Sequence, residues 1–207
     1  MKKIILWRNI MASDQMIVEN YLSRLAKTLQ ELPREPVQKT IDILREARKN
    51  KKMIFLFGNG GSASNTSHIV NDLIKNCRTN GQPDFRILSL NENTATMTAY
   101  GNDYGYDTVF EGQLRSYANP GDVVIAMSTS GNSPNVIKAL QAAREMGLIT
   151  IGITGTMGGK MKDMVDVCVH APSNWAGIIE DVAIILGHIF TVIFMENNDM
   201  VAEKMMQ

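Results

Sequence analysis

The sequence predicts an α/β protein: a three-layer α/β/α sandwich on a five-stranded parallel sheet, preceded by a helical hairpin. Three observations carry this expectation. Five short apolar runs are bounded by Gly, Asn and Ser, helix-period stretches separate most of them, and two amphipathic stretches stand before the first. Short apolar runs without alternation mark strands buried on both faces, and helical crossovers bring such strands together in parallel. The 207-residue chain is long enough to bury one sizeable core. Residues 1–207 read as a single domain, with N-terminal helices over about 12–50 and an α/β core over about 52–200.

From Gln15 to Leu32 the residues Ile17, Tyr21, Leu22, Leu25, Leu29 and Leu32 recur at helical spacing. A second helix is expected after Pro36, in the register Val37, Ile41, Leu44 and Ala47. The strand runs are 53–58, 85–90, 122–128, 149–154 and 166–171, with helices over 62–77, 133–147 and from about Ile178 to Met195. Val182 to Met195 is apolar but includes His188, and its fourteen residues are too few to span a bilayer, so it reads as a core helix. The start, MKKIILWRN, is too short for a secretion signal, and the first ten residues are expected to form an extension outside the fold.

Charge and cysteine content narrow the function classes. Twenty-one Lys and Arg balance twenty-one Asp and Glu, so no basic excess marks a direct nucleic-acid partner. Cys77 and Cys168 are the only cysteines and form no Cys-x-x-Cys pair, which fits a reducing cytoplasm and two inert buried thiols.

Ligands of open parallel sheets bind beyond the carboxyl ends of the strands, which directs attention to the loops there. The third strand runs into Ser128-Thr129-Ser130-Gly131-Asn132-Ser133-Pro134. Pro134 suits the first position of a helix and Ser133 its N-cap; the free N–H groups of that helix end and four hydroxyls make an anion site matched to phosphate. A capped polar turn would read the same way. The loop after the first strand, Gly58-Asn59-Gly60-Gly61-Ser62, lacks the spacing of a dinucleotide fold or a P-loop. Its adjacent glycines nevertheless admit close approach of a ligand to the backbone, with Asn59 and Ser62 as polar groups.

The three histidines are His68, His170 and His188. His68 and Asp72, four apart, are either a divalent-metal half-site or a hydrogen-bonded pair. His188 lies in an apolar run where an unpartnered imidazole is costly. Glu180 stands eight residues before it, about 12 Å along the axis and off its face. Asp181 is the rival on nearly the same face. His170 ends the last strand and reads as a cap to the sheet.

Taken together, GNGGSASNTSH, AYGNDYGY, STSGNSPNV and the late Glu-x7-His resemble the sugar-isomerase (SIS) domain family, and in order and spacing its phosphoheptose isomerase branch. That resemblance covers nearly the whole chain and implies a flavodoxin-like SIS fold. It implies sugar-phosphate contacts from Asn59, Gly60, Gly61, Ser62, Asn102, Asp103, Ser128, Thr129, Ser130, Ser133 and Glu180. It further implies one zinc ion per subunit on His68, Asp72, Glu180 and His188, with Asp72 and His188 catalytic, and a cytoplasmic homotetramer with sites built between subunits. The implied reaction converts sedoheptulose 7-phosphate to D-glycero-D-manno-heptose 7-phosphate through an enediol, for heptose of lipopolysaccharide or capsule. Alternatives are a non-catalytic regulatory phosphosugar binder and an isomerase of another sugar phosphate. The chain departs from the family pattern in three places: Asp72 for Glu, Glu180 for Gln, and Gly177 for Asp.

Overall fold

A computed structural model of the chain describes residues 14–78 and 81–195, so the expected extension over residues 1–10 lies outside the described residues. The five apolar runs become β1 (Met53–Gly58), β2 (Arg86–Ser89), β3 (Val123–Met127), β4 (Ile149–Thr154) and β5 (Val167–His170). They pair in parallel in the order β2-β1-β3-β4-β5. Alternate residues face opposite ways. Ile54, Leu56, Ile125, Ile151, Ile153 and Val169 enter one core, while Phe55, Phe57, Val124 and Ala126 enter the other.

Helices cover both faces and complete the three layers. On the first face lie α2 (Arg34–Lys49), α3 (Gly61–Asn76) and α7 (Ala176–Phe194); on the second lie α5 (Glu111–Tyr117) and α6 (Pro134–Glu145). The leading helix α1 (Asp14–Glu31) rests on α7 and has only Thr28 buried, leaving Met16, Ile17, Val18 and Leu22 exposed. The second helix starts at Arg34 rather than after Pro36. A proline in the first turn removes an N–H that has no intrahelical partner anyway, so the helix includes it.

Two connections differ from the expected strand–helix–strand pattern. Between β2 and β3 stand α4 (Thr94–Asp103), a 3₁₀ turn at Tyr106–Thr108 and α5, whereas β4 reaches β5 through a loop with only the 3₁₀ turn Met161–Asp163. No residue of α4 is fully buried, and only Met97 and Tyr100 pack against the second core, too short an apolar face to announce the helix. The last helix is a core helix on one face only. Its Ile178, Val182, Leu186 and Phe190 are buried, while His188 and Ile189 are exposed. Among the described residues it alone has the length and apolar character to cross a membrane, and half of that window is buried inside the fold.

The strand order reverses between β1 and β3, where the chain leaves β1 for α3 on one face and β3 for α6 on the other. A crevice opens at such a switch point, and the loops at Asn59 and Ser128 form its two lips.

Arg48, only 6% exposed, ties the first layer together. Its guanidinium donates to Cys77 O (2.6 Å) just past α3, to Phe194 O (3.3 Å) at the end of α7, and to Pro83 O (2.7 Å) before β2. It also lies over the Phe85 ring at 4.9 Å. Arg48→Met preserves much of the volume but strands buried carbonyls, each costing about 1–3 kcal/mol. Urea unfolding of this variant is expected to show a loss of about 3 kcal/mol or more; a loss within experimental error would show that the guanidinium does not hold these helix ends.

Candidate functional site

The loop after β3 is shaped by its own backbone. Ser128 continues the ladder through its N–H to Ile153 O (3.1 Å), and the Gly131 N–H returns to Ser128 O (3.0 Å). Gly131 has φ +63°, and a Cβ there would meet Gly158 O at 2.0 Å. A second loop braces the first: Gly155 donates to Thr129 O (3.2 Å), Met161 to Gly131 O (3.0 Å), and Lys160 to Asn132 Oδ1 (3.0 Å). Pro134 opens α6 and Ser133 occupies the N-cap position, as the sequence indicates. The Ser133 hydroxyl makes no capping bond, however, and meets the Ser128 hydroxyl at 3.1 Å instead. Ser128 is buried, Thr129 half-buried and Ser130 exposed. Hydroxyls and the Asn135 N–H at the start of α6 therefore share one lip, an arrangement suited to a phosphate, while Pro134 has no N–H and that of Val136 is taken by Asn135 Oδ1 at 3.0 Å.

The opposite lip carries Asn59, Gly60 and Gly61. Gly60 has φ +57°, a conformation that side chains resist. Ser62 is buried against the Cα of Gly58, and a Cβ at Gly61 would strike the Glu180 carboxylate at 2.4 Å. Asn59 and Asn135 form a mutual amide pair with bonds of 2.9 and 2.8 Å, and Asn59 Oδ1 also accepts from the Tyr106 hydroxyl at 3.1 Å. Asn102 and Asp103 are exposed at the end of α4 and hydrogen-bonded to each other at 2.7 Å.

Away from the crevice, α3 and α7 bring a third group together. His68 Nε2 and His188 Nε2 are 3.0 Å apart, and Asp72 Oδ2 lies 3.3 Å from the first and 3.9 Å from the second. His188 does lie in an apolar run, but its side chain is 54% exposed rather than buried. Two imidazole nitrogens and a carboxylate oxygen, all within 4.8 Å of one another, are a donor set that suits zinc. Asp72 Oδ1 additionally accepts from the Asn71 and Asn76 side chains at 3.3 Å each.

Glu180, expected as the fourth ligand, stands outside this trio in the chain as folded. Its carboxylate packs over Gly61, and its backbone O accepts from Asn65 Nδ2 at 2.9 Å. A straight α7 keeps the eight-residue separation from His188 that places the two on different faces. The rival, Asp181, accepts a 2.6 Å hydrogen bond from the Tyr21 hydroxyl of α1. That bond, followed by burial, raises the phenol pKa above its ordinary value. The ring of Tyr21 packs edge-on against Trp175, and a Cβ at Gly177 would lie 3.2 Å from its hydroxyl.

The remaining candidates are structural. His170 ends β5 with Nδ1 3.3 Å from Gly155 O, beside the bracing loop. Burial pushes the thiols of Cys77 and Cys168 up to about 11 each, so both stay protonated and unreactive near neutrality. Sequence reasoning missed Arg48, Tyr21, Tyr106 and Asn135. The last two lie in the AYGNDYGY and STSGNSPNV segments, so their motifs were in view although their pairing with Asn59 was not.

Residues 19–155 match the family model described as the SIS domain. A phosphoheptose isomerase of Aliarcobacter butzleri is 41% identical over 83% of this chain and 92% of its own. Phosphoheptose isomerase 2 of Campylobacter jejuni is 33% identical over 91% of this chain and 88% of its own. The structure of a phosphoheptose isomerase from Neisseria gonorrhoeae superposes with a TM-score of 0.81 at 31% identity, covering 88% of this chain and 98% of that one.

Proposed function

The chain belongs to the phosphoheptose isomerase family of SIS-domain proteins, and we propose that it isomerises sedoheptulose 7-phosphate to D-glycero-D-manno-heptose 7-phosphate, for heptose of surface polysaccharide. The observation that carries the reading is the meeting of His68, Asp72 and His188 from two helices at one point. The reading takes residues 1–207 as one such domain and places it in the cytoplasm.

The reaction moves one proton from C1 to C2 and another from O1 to O2, with an enediol between. Such chemistry needs a base beside the C–H bond and an acid–base group at the oxygens. Asp72 takes the C1 proton on its carboxylate and returns it to C2, while His188 carries the proton between the oxygens on its other ring nitrogen, leaving Nε2 to the cluster with His68 and Asp72. The hydroxyls of Ser128, Thr129, Ser130 and Ser133, with the Asn135 N–H at the start of α6, hold the phosphate, and that remote grip fixes the reacting carbons. Asn59, Gly60, Gly61, Ser62, Asn102 and Asp103 line the sugar side. His68, Asp72 and His188 would hold a zinc ion, which supplies positive charge beside the two sugar oxygens when bound. Glu180 belongs with the sugar contacts on this reading, and reaches the ion only by turning away from Gly61.

From Gly61 to His68 the helix climbs about 10 Å, so the imidazoles stand well above the loops of their own chain. A site assembled between chains brings one chain's histidines over another's phosphate loop. The exposed Met16, Ile17, Val18 and Leu22 of α1 offer apolar surface for that assembly. Light scattering is accordingly expected to give a homotetramer of the 23.0 kDa chain; a monomer at working concentration defeats the shared-site reading.

In the double variant Ser130→Ala/Ser133→Ala, hydrogen bonds to a charged phosphate are lost, each worth about 1.5–3 kcal/mol. Its KM is expected to rise by at least tenfold; unchanged affinity for the sugar phosphate would refute the anion site. Asp72→Asn keeps the shape but removes the base, so kcat is expected to fall by roughly 10²–10⁴, with phosphate binding retained. His188→Gln should lose a similar factor, and the two losses should not add. Full turnover in Asp72→Asn removes its assignment as base, and a wild-type chain that binds sugar phosphates without turning any over is a regulatory binder.

A further inference from the structure

The orientation of the amide pair across the crevice follows from one backbone group. The Val136 N–H can only donate, and it donates to the Asn135 side chain at 3.0 Å, so that atom is the oxygen. Asn135 is 2% exposed, and its amide nitrogen needs an acceptor. It finds Asn59 Oδ1 at 2.8 Å. The Asn59 nitrogen is thereby fixed as the donor back to Asn135 Oδ1, at 2.9 Å. The Tyr106 hydroxyl, donating to Asn59 Oδ1 at 3.1 Å, takes that oxygen's second lone pair.

An asparagine amide offers two acceptor positions and two donors. At Asn59 both acceptor positions are filled and one N–H is used, which leaves a single N–H. Resting on the isomerase reading above, we propose that Tyr106 and Asn135 are positioning residues which lock the Asn59 amide so that it presents only a donor to an oxygen of the sugar phosphate. An unlocked amide could turn its carbonyl to the ligand and favour a hydroxyl donor instead. The lock removes that option before the ligand arrives, and preorganisation of this kind is expressed in binding. It also gives Tyr106 a use for its hydroxyl although the side chain is 58% exposed.

The test combines steady-state kinetics on sedoheptulose 7-phosphate with hydrogen exchange of the Asn59 side-chain NH₂ in ¹⁵N spectra of the full chain. In the free wild-type protein one Asn59 proton should exchange slowly and its geminal partner fast, and added sugar phosphate should slow the fast one. Tyr106→Phe, which keeps the ring, should raise KM about three- to tenfold with kcat within about twofold and an unchanged melting temperature. Asn135→Asp still accepts from the Val136 N–H and from the Asn59 amide but cannot donate to Asn59 Oδ1, so it should raise KM further. Normal wild-type turnover with KM unaltered in Tyr106→Phe and in folded Asn135→Asp overturns the lock while leaving the isomerase reading intact. Two equally exchanging Asn59 protons in the wild type overturn it whatever the turnover. A wild type with one protected proton but no sugar-phosphate turnover overturns the isomerase reading and leaves the lock standing.

Discussion

The close approach of α3 and α7 is the constraint on which the histidine cluster depends. At their crossing, a Cβ on Gly187 would lie 2.3 Å from Ile69 Cγ1, so only a glycine lets the two backbones come this near. The residues next to that contact are His68 and His188, and their nitrogens meet because the helices do. Arg48 secures the same helices at their far ends, satisfying carbonyls that would otherwise be buried without a donor. The trio thus rests on a steric fit at one end and a charged clamp at the other, both made by residues that take no part in the chemistry.

The crevice loops rest on a different principle. In the loop after β3 the backbone and the Asn132 side chain are held by a second loop's N–H groups, while Ser130 is left exposed. Ser133 stands where an N-cap stands, yet its hydroxyl pairs with Ser128, and Asn135 Oδ1 accepts from the Val136 N–H that a cap would bond. Across the crevice the side chains do the holding, through the amide pair of Asn59 and Asn135. The two lips are therefore joined before any ligand enters, so binding has less disorder to remove.

Much of this was legible in the sequence for physical reasons. Strands buried on both faces need unbroken apolar runs, and those runs located all five within a residue or two. The turn from β3 into α6 was visible because serine, glycine and proline each have a stereochemical use at a strand-to-helix turn. The i,i+4 spacing likewise put His68 and Asp72 on one face. The part that escaped notice depends on contacts between distant residues. Helix α4 packs only Met97 and Tyr100 against the core and buries neither fully, the partners of Arg48 lie far from it in the sequence, and His188 looked buried because its neighbours are apolar. The side chain of Glu180, implied as a ligand by family resemblance, packs its carboxylate over Gly61 in this fold, a contact between distant residues that spacing along α7 does not reveal.

The contact between Gly131 and the Gly158–Gly159 turn has an evolutionary consequence. All three glycines have positive φ, and side chains at Gly131 or Gly159 would collide with the other loop's backbone. Neither loop can acquire a side chain there unless its partner withdraws, so the pair is constrained to drift together or not at all. Change is easier at exposed positions such as Asn102 and Asp103, where a new side chain meets solvent and can be tried one residue at a time.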